Sequence, residues 1–249
     1  MPTVPFSGAL SVVVPVRNEE DNLDPLIREI ATALAGLEAF EIIYVDDGST
    51  DETGLRLASL NAHFPMLRVL RHRQSCGQSQ AITTGVRAAR HAWIATLDGD
   101  GQNDPADIPV MLKKLADPAL PANLELLAGW RARRNDNFVR RLSSRIANGV
   151  RSRILKDSTP DTGCGLKVFA RETYLALPNF DHMHRFLPAL VMRNGGAVVS
   201  VPVSHRPREH GISKYGIHNR LWVGIVDLFG VAWLQRRVRL PEIDHTAER

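Results

Sequence analysis

The sequence predicts an α/β protein with a mostly parallel sheet that is covered by helices on both faces. Four apolar segments of strand length, the first at 10–16 and the fourth at 92–97, alternate with segments that place apolar residues at helical spacing. Strands that alternate with helices form parallel sheets, because each helix carries the chain back to the starting edge. With 249 residues and 44% hydrophobic content, the chain can bury such a core.

The first half of the chain repeats one pattern of strand, polar loop and helix. Residues 10–16 (LSVVVPV) form the first strand, and the leucines and isoleucines from Leu23 to Leu34 then recur at helical spacing. The following predicted elements are a strand at 41–45, a helix at 53–62, a strand at 66–70, a helix at 78–89 and a strand at 92–97. Ligands of such sheets bind outside the carboxyl ends of the strands. We therefore expect the polar loops after strands one, two and four to share one rim.

The second half is less regular. Its predicted elements are a helix at 105–115, strands at 124–129, 164–170 and 197–203, an arginine-rich amphipathic helix at 138–155, and helices at 184–193 and 217–238. We place the softest boundary near residue 204, so that 1–204 forms the main domain. Residues 205–249 then form a basic loop and a C-terminal helix of the same domain or of a membrane or oligomer contact.

The loop after the fourth strand, DGDGQND at 98–104, is the first candidate site. Residues two apart in an extended segment leave the backbone on the same side, so Asp98 and Asp100 aim two carboxylates at one point. This geometry suits a divalent metal. A calcium-binding EF-hand loop is disfavoured, because Asn103 and Pro109 stand where that motif needs Gly and Glu. A plain polar turn is the alternative.

Two further rim loops have the chemistry of a nucleotide pocket. In the loop at 15–19, we expect free backbone N–H groups at a helix start, with Asn18 and Glu19 available to a base or ribose. Asp46 and Asp47 follow the second strand, and carboxylates accept hydrogen bonds from ring N–H groups and ribose hydroxyls. Helix capping and an ordinary Asp-Gly turn are the respective alternatives. Neither a glycine-rich dinucleotide fingerprint nor a P-loop follows the first strand, so a metal would have to bridge the diphosphate.

Positive charge is clustered, although the net charge is only +4. Eight arginines lie between Arg131 and Arg153 against Asp136 alone, and a second basic group lies at 205–220. Such clusters indicate an anionic partner, namely a phosphorylated ligand, an acidic lipid surface or nucleic acid. A solvated helix face is the alternative. We expect no nucleic-acid partner, because aromatic residues are 6% of the chain and do not interleave with the arginines.

The sequence favours a cytoplasmic protein. Cys76 and Cys164 form neither a metal motif nor a disulfide framework, which fits a reducing compartment. The N-terminus has no basic stretch before an apolar core, so we expect no signal peptide. The apolar segment at 221–234 has only 14 residues and is interrupted by Asp227, which is too short for a membrane span.

Five ordered motifs carry a family resemblance. They are a strand followed by Pro-x-x-Asn-Glu, VDDGSTD, LDGDGQNDP, DTGCGLK beginning at Asp161, and HRPREHGISKYG beginning at His205. Together they resemble the family-2 glycosyltransferases with a GT-A fold, and most of all the polyprenyl-phosphate branch that includes dolichol-phosphate mannose synthase. The resemblance covers about residues 10–220. It implies a nucleotide-sugar donor, either a UDP- or a GDP-sugar, and a Mg²⁺ or Mn²⁺ cofactor.

The resemblance also implies roles for individual residues on the donor side. The nucleoside pocket would be lined by Pro15, Arg17, Glu19 and Asp46. The metal and the diphosphate would lie at Asp98, Asp100 and Gln102. The diphosphate would be covered by Arg208 and Lys214, on a loop that orders with ligand.

On the acceptor side, Arg131 and Arg140 match arginines that face the acceptor phosphate in this branch. A polyprenyl phosphate has an anionic oxygen that needs little help from a base, so positioning and electrostatics would carry an inverting transfer. A sugar hydroxyl would instead need a carboxylate to take its proton, and Asp161 is the candidate. The alternative for Asp161 is a structural role in its turn.

Two departures from the branch affect the membrane and the metal loop. Many relatives continue into transmembrane helices, whereas this chain ends at Arg249, so membrane attachment stays open. The branch often has Asp-Ala-Asp-Leu-Gln where this chain has Asp-Gly-Asp-Gly-Gln, which keeps the metal motif and makes the loop more flexible. The C-terminal helix, apolar and ended by arginines, could lie on an anionic membrane or pack on the domain or a second subunit.

Two other classes share parts of this pattern. A nucleotidyltransferase would use the same kind of metal and nucleotide pocket, but it usually has a glycine-rich basic loop after the first strand, and this chain does not. A non-catalytic interaction module with this fold would be expected to lose Asp98 or Asp100, and both are present.

Overall fold

The computed structural model describes residues 6–131, 149–157, 159–208 and 217–239, with backbone alone for 217–222. The strands are β1 Ala9–Val16, β2 Ala39–Asp46, β3 Leu67–Arg71, β4 Trp93–Thr96, β5 Leu124–Arg131, β6 Lys167–Ala170 and β7 Ala197–Val203. The helices are α1 Leu23–Leu34, α2 Thr53–His63, α3 Gln78–Ala88, α4 Asp107–Leu115, α5 149–155, α6 Arg171–Leu175, α7 Leu187–Arg193 and α8 Ile217–Arg237, with a 3₁₀ turn at Met183–Arg185. The predicted helix at 138–155 is described only from residue 149.

The strands form one seven-stranded sheet in the order β3-β2-β1-β4-β6-β5-β7. β1 pairs in parallel with β2 and β4, β2 with β3, and β5 with β7. β6 is antiparallel to both of its neighbours, so Lys167 lies between Thr96 of β4 and Ala128 of β5. The prediction of a mostly parallel sheet is confirmed.

Helices cover both faces of this sheet. On β1, Val12 and Val14 face the core beneath α1, α2 and α4, whereas Val13 faces the core beneath α3, α6 and α7. A parallel strand that is buried on both faces is apolar at nearly every position, which explains the run LSVVVPV. Close packing of α3 on β1 needs Gly85, since a Cβ there would lie 2.4 Å from a methyl group of Val13.

The predicted strand at 164–170 is shorter in the structure, where it begins at Lys167. The preceding residues, 162–165, remain a loop that lies against the end of β4. Thr96 Oγ1 donates a hydrogen bond of 2.7 Å to the carbonyl oxygen of Gly165 in that loop.

Candidate active site

The carboxyl ends of β1, β2, β4 and β5 open into a single cleft of about 570 Å³. The predicted site residues that line it are Pro15, Arg17, Glu19, Asp47, Asp98, Asp100, Gln102, Arg131 and Arg208. The structure therefore brings nine of the predicted residues together. Asp46 and Asp161 do not line the cleft, and Arg140 and Lys214 lie outside the described residues.

Asp98 lies at the floor of the cleft, two residues beyond the end of β4. Its carboxylate accepts a hydrogen bond of 2.8 Å from Gln78 Nε2 at the start of α3, and its backbone N–H donates to Asn103 Oδ1. Burial, and then the negative charge of Asp100, raise the pKa of the Asp98 carboxyl group. Gly165 packs directly on this carboxylate, and a Cβ at that position would lie 2.3 Å from it.

Asp100 is held by the loop itself and by a cation from the C-terminal side. One carboxylate oxygen accepts a hydrogen bond of 3.1 Å from the backbone N–H of Gln102, and the other forms an ion pair with the guanidinium of Arg208. Burial alone would lower the pKa of Arg208, but the Asp100 carboxylate raises it. The resemblance places Arg208 at the donor diphosphate, next to the metal motif, and the structure places it at Asp100.

The segment that carries Arg208 is held along the loop at 98–104 by hydrogen bonds and an ion pair. The backbone N–H of Arg206 donates a hydrogen bond of 2.9 Å to the carbonyl oxygen of Gln102. Asn103 and His205 form an isolated antiparallel β-bridge. The Arg206 guanidinium reaches Asp104 at 2.8 Å. These contacts hold residues 204–208 beside the carboxylates.

Asp98, Asp100 and Gln102 fit a hard divalent cation. Two carboxylates and a side-chain amide oxygen are ligands that Mg²⁺ and Mn²⁺ prefer. Burial is the first cause that raises the pKa of Asp98 and the charge of Asp100 is the second, which is the direction expected when two neighbouring carboxylates repel each other. A divalent cation between them would relieve that repulsion.

The second rim loop places its two aspartates differently. Asp46 is buried below the cleft, where it accepts a hydrogen bond from the backbone N–H of Ser49 at 2.8 Å and lies 3.1 Å from Arg71 Nε. Asp47 lines the cleft and accepts four hydrogen bonds. The donors are the backbone N–H groups of Cys76 and Gly77, the hydroxyl of Ser75 and the imidazole of His72, at 2.7–2.9 Å.

Asp47, His72 and Cys76 offer three ligand atoms within 4.8 Å of one another, but the geometry is that of a hydrogen-bond network. Both imidazole nitrogens of His72 are already bonded, to Asp47 and to Thr84 Oγ1. Burial alone would raise the pKa of Asp47, but the hydrogen bonds, first that from Cys76, hold the pKa of that carboxyl below its usual value. Asp47 thus anchors the loop before α3.

The first rim loop, at 15–19, does not offer all the free backbone N–H groups that the sequence predicted. The backbone N–H of Asn18 donates to Ser49 Oγ and that of Glu19 to Thr53 Oγ1, both at 2.9 Å. These two N–H groups are therefore not free for a ligand, because Ser49 of the β2–α2 loop and Thr53 at the start of α2 accept their hydrogen bonds. Asn18 also adopts a left-handed backbone conformation with φ 51°.

Arg131, at the end of β5, forms a largely buried bidentate ion pair with Asp161. The guanidinium donates from Nε to Asp161 Oδ2 at 2.6 Å and from Nη2 to Oδ1 at 2.9 Å. Burial alone would lower the pKa of Arg131, but the Asp161 carboxylate raises it. Because both oxygens of Asp161 are bound to Arg131, this geometry does not favour Asp161 as a general base.

The cleft also contains polar residues that the sequence interpretation did not single out, namely Gln78, Lys167, His184 and Arg185. His184 Nδ1 is hydrogen-bonded to Ser79 Oγ at 2.7 Å, and burial holds its pKa well below the usual value. The segment at 184–193 is predicted from its sequence only as a helix. Its neighbour α3 is 105 positions away along the chain, so no local pattern could pair them.

None of the helices within the described ranges has the length and apolar character that crossing a bilayer requires. The described cysteines, Cys76 and Cys164, are both free thiols.

Comparison with known proteins shows the same relationship in sequence and in structure. The profile of Glycosyl transferase family 2 matches residues 11–175. The dodecaprenyl-phosphate galacturonate synthase of Rhizobium johnstonii is 39% identical over 240 residues, which cover 93% of this chain and 69% of the relative. The undecaprenyl-phosphate 4-deoxy-4-formamido-L-arabinose transferase of Edwardsiella ictaluri is 33% identical over 211 residues, covering 84% and 63%. The chain thus spans about two thirds of the length of these relatives.

Two solved glycosyltransferases share the fold. Glucosyl-3-phosphoglycerate synthase from Mycobacterium tuberculosis, in complex with Mn²⁺, UDP and glucosyl-3-phosphoglycerate, superposes with a TM-score of 0.68 at 18% identity, over 93% of this chain and 81% of that one. A mannosyltransferase from Pyrobaculum calidifontis, in complex with GDP-mannose and Mn²⁺, superposes with a TM-score of 0.65 at 22% identity, over 97% and 68%. The fold is GT-A, and the chain belongs to glycosyltransferase family 2.

Proposed function

We propose that this protein transfers a sugar, with inversion, from a nucleotide-sugar donor to a polyprenyl phosphate, and that the reaction depends on Mg²⁺ or Mn²⁺. The observation that carries the proposal is that the carboxylates Asp98 and Asp100 and the guanidinium of Arg131 line one cleft. The names of the two relatives, which describe sugar transfer to dodecaprenyl and undecaprenyl phosphate, support the choice of acceptor.

On the donor side, Asp98, Asp100 and Gln102 would hold the metal. When bound, the cation would neutralise charge on the donor diphosphate as it becomes the leaving group. Pro15, Arg17, Glu19 and Asp47 would surround the nucleoside of a UDP- or GDP-sugar. Asp46 would support this pocket from below through Ser49 and Arg71.

Arg208 would exchange Asp100 for the diphosphate once donor and metal are in place. Its guanidinium is already within reach of the metal loop, and the contacts of residues 204–208 keep it there. Lys214, six residues further along, would add a second cation over the diphosphate.

On the acceptor side, Arg131, together with Arg140, would hold the phosphate of the polyprenyl phosphate. One phosphate oxygen would attack the anomeric carbon while the bond from that carbon to the donor diphosphate breaks, which inverts the configuration. The attacking oxygen is already anionic, so the step needs no general base. A hydroxyl acceptor with Asp161 as base is less favoured, because Arg131 binds both oxygens of that carboxylate.

The proposal includes a peripheral contact with an anionic membrane through α8 and α5. Val226, Phe229 and Trp233 lie on one face of α8 and are 68%, 63% and 57% exposed, whereas Val231 is buried in the core. Gln235 Nε2 donates to the carbonyl of Leu155 at 3.0 Å, which joins α8 to α5.

Exposed groups of both kinds continue this surface on α5 and at the end of α8. The apolar ones are Val150 and Ile154, and the basic ones are Arg153, Lys156, Arg236 and Arg237. An apolar face rimmed by cations suits anionic lipid headgroups. It would bring the cleft to a lipid-linked acceptor at the inner face of the cytoplasmic membrane.

One assay tests the reaction. Release of nucleoside diphosphate is measured across a panel of UDP- and GDP-sugars, with and without polyprenyl phosphate, and after chelation. The proposal requires release that depends on both the lipid phosphate and the cation. Release that depends instead on a sugar acceptor would favour the hydroxyl alternative.

Vesicle flotation tests the membrane contact. We expect binding to anionic but not to neutral vesicles, and loss of that binding when Val226, Phe229 and Trp233 are all changed to Ser. The alternative is that this face of α8 packs against a second subunit. Light scattering of the wild type and the triple variant tests this alternative, because the wild type would then be a dimer and the triple variant a monomer.

A further inference from the structure

Lys167 lies at a position in the cleft to which neither the motifs nor the proposed reaction assigns a role. It is the first residue of β6, the strand inserted between β4, which leads to Asp98, and β5, which ends at Arg131. Its residue is only 3% exposed, yet it lines the cleft. Lys167 is therefore part of the cleft floor between the predicted metal loop and the predicted acceptor arginine.

Among the described residues, no carboxylate is in direct contact with the ammonium group of Lys167, although Asp98 and Asp161 lie close enough to raise its pKa. Nζ donates hydrogen bonds to the backbone carbonyls of Cys164 and, at 3.4 Å, Thr162. Within the described part of the chain, no carboxylate oxygen lies within 4.0 Å of Nζ. The neighbouring cations Arg131 and Arg208 each have a carboxylate partner in direct contact.

A buried ammonium is normally paired with an anion in direct contact, because neutral carbonyl oxygens satisfy its hydrogen bonds without supplying a counter-charge. Burial lowers the pKa of Lys167 although Asp98 and Asp161 raise it from beyond contact distance, and an anion at Nζ would raise it further. Since Lys167 lines the cleft, that anion can come from a ligand bound there.

We propose that Lys167 forms, beside Arg131, an oxyanion subsite at the floor of the cleft. The inference rests on the proposed function and adds a binding residue to it. The oxyanion has two possible sources with the same chemistry: a phosphate oxygen of the acceptor, or the carboxylate of a transferred hexuronic acid. The two sources are separated by experiment.

The test compares Lys167→Met with the wild type and with Lys113→Met, which removes one charge from an exposed part of α4. Calorimetry with Mn²⁺ present measures binding of two matched ligand pairs. Geranyl phosphate and geraniol differ in the phosphate, and UDP-glucuronate and UDP-glucose differ in the carboxylate.

We expect Lys167→Met to weaken binding of geranyl phosphate or of UDP-glucuronate by about tenfold or more. The matched ligand without the phosphate or carboxylate in question should keep its wild-type affinity, and so should both pairs with the Lys113→Met variant. A loss confined to geranyl phosphate assigns the subsite to the acceptor, and a loss confined to UDP-glucuronate assigns it to the sugar. Equal changes within both pairs, or no change, would overturn the subsite and leave Lys167 as a structural anchor for residues 162–164.

A second measurement does not depend on the variant folding. In the presence of Mn²⁺ and saturating nucleoside diphosphate, inorganic phosphate should raise the melting temperature of the wild type in a saturable way that equal ionic strength of chloride does not reproduce. Absence of saturable stabilisation by phosphate, together with equal affinity for the two UDP-sugars, also overturns the subsite. These measurements need no turnover, so a wild type that binds the anion through Lys167 but transfers no sugar would refute the proposed function alone.

Discussion

Substitution of Gly165 by Ala should disable the predicted metal site without replacing any of its predicted ligands. A Cβ at residue 165 would lie 2.3 Å from Cγ and Oδ2 of Asp98 and 2.5 Å from Oδ1. Ordinary contact begins at 3.4 Å, so the carboxylate would have to retreat by about 1 Å. Asp98 is half-buried and accepts a hydrogen bond from Gln78 at 2.8 Å, so that retreat would break the hydrogen bond and move the predicted metal ligand.

The magnitude follows from the size of this displacement. Misplacement of a catalytic group by 1 Å can lower activity about 100-fold, and overpacking of a filled site costs about 1–3 kcal/mol of stability. We therefore expect kcat/KM to fall about 100-fold, with weaker Mn²⁺ binding and a modestly lower melting temperature.

Gly163→Ala is the matched control, because it lies in the same loop. Its Cβ would meet Arg131 Nη2 and Asp161 Oδ1 at 3.4 and 3.6 Å, which is ordinary contact. We expect its kcat/KM to stay within about threefold of the wild type. If Gly165→Ala kept wild-type kcat/KM and Mn²⁺ affinity, or if both glycine variants lost equally, the assignment of Asp98 to the metal site would be refuted.

Three further predictions concern side chains of the cleft. Asp98→Ala or Asp100→Ala should abolish transfer and metal-dependent donor binding while the fold is kept; unchanged nucleotide-sugar affinity with Mg²⁺, with Mn²⁺ and after chelation would contradict the metal assignment. Arg131→Ala and Arg140→Ala should each cost about 1.5–3 kcal/mol, or about tenfold or more in kcat/KM for the acceptor; an equal loss of donor affinity would place these arginines at the diphosphate instead. The pKa of Asp47 is held below its usual value, so the ionised carboxylate stabilises the folded state above about pH 4 and that stability is lost as the pH falls through its folded pKa. Asp47→Asn should therefore lower the urea midpoint at pH 7. Between pH 7 and pH 3, the urea midpoint of the variant should fall by less than that of the wild type. Equal falls in the two proteins would show that Asp47 does not carry this pH dependence.

The parts of the fold that sequence patterns predicted are those with local causes. The strands β1 to β4 and the helices between them follow from apolar spacing within single segments, and parallel pairing then places their polar loops at one rim. Asp98, Asp100 and Gln102 line one cleft as expected from side-chain alternation, but β4 ends at Thr96 and a turn at residues 99–101 brings them together.

The parts that could not be predicted depend on contacts between distant segments. Gln78 binds Asp98 across 20 positions, and Arg208 reaches Asp100 across 108. The prediction of free backbone N–H groups in the loop at 15–19 fails at Asn18 and Glu19 for the same reason, because the acceptors are the hydroxyl groups of Ser49 and Thr53, more than 30 positions away. The direction of β6 is also set by its pairing with the distant strands β4 and β5. The four residues of β6 alone do not indicate that direction.

The inserted strand β6 explains how one cleft can serve an inverting transfer. An inverting displacement needs its nucleophile and its leaving group on opposite sides of the anomeric carbon. The half of the sheet made of β3, β2, β1 and β4 presents Arg17, Asp47 and Asp98, which suit a nucleoside diphosphate and its metal. The half made of β6, β5 and β7 presents Arg131 and Lys167, which suit an anionic nucleophile. The two substrates would therefore meet over the junction of β4 and β6, where Gly165 leaves room beside Asp98 and where the sheet reverses its strand direction.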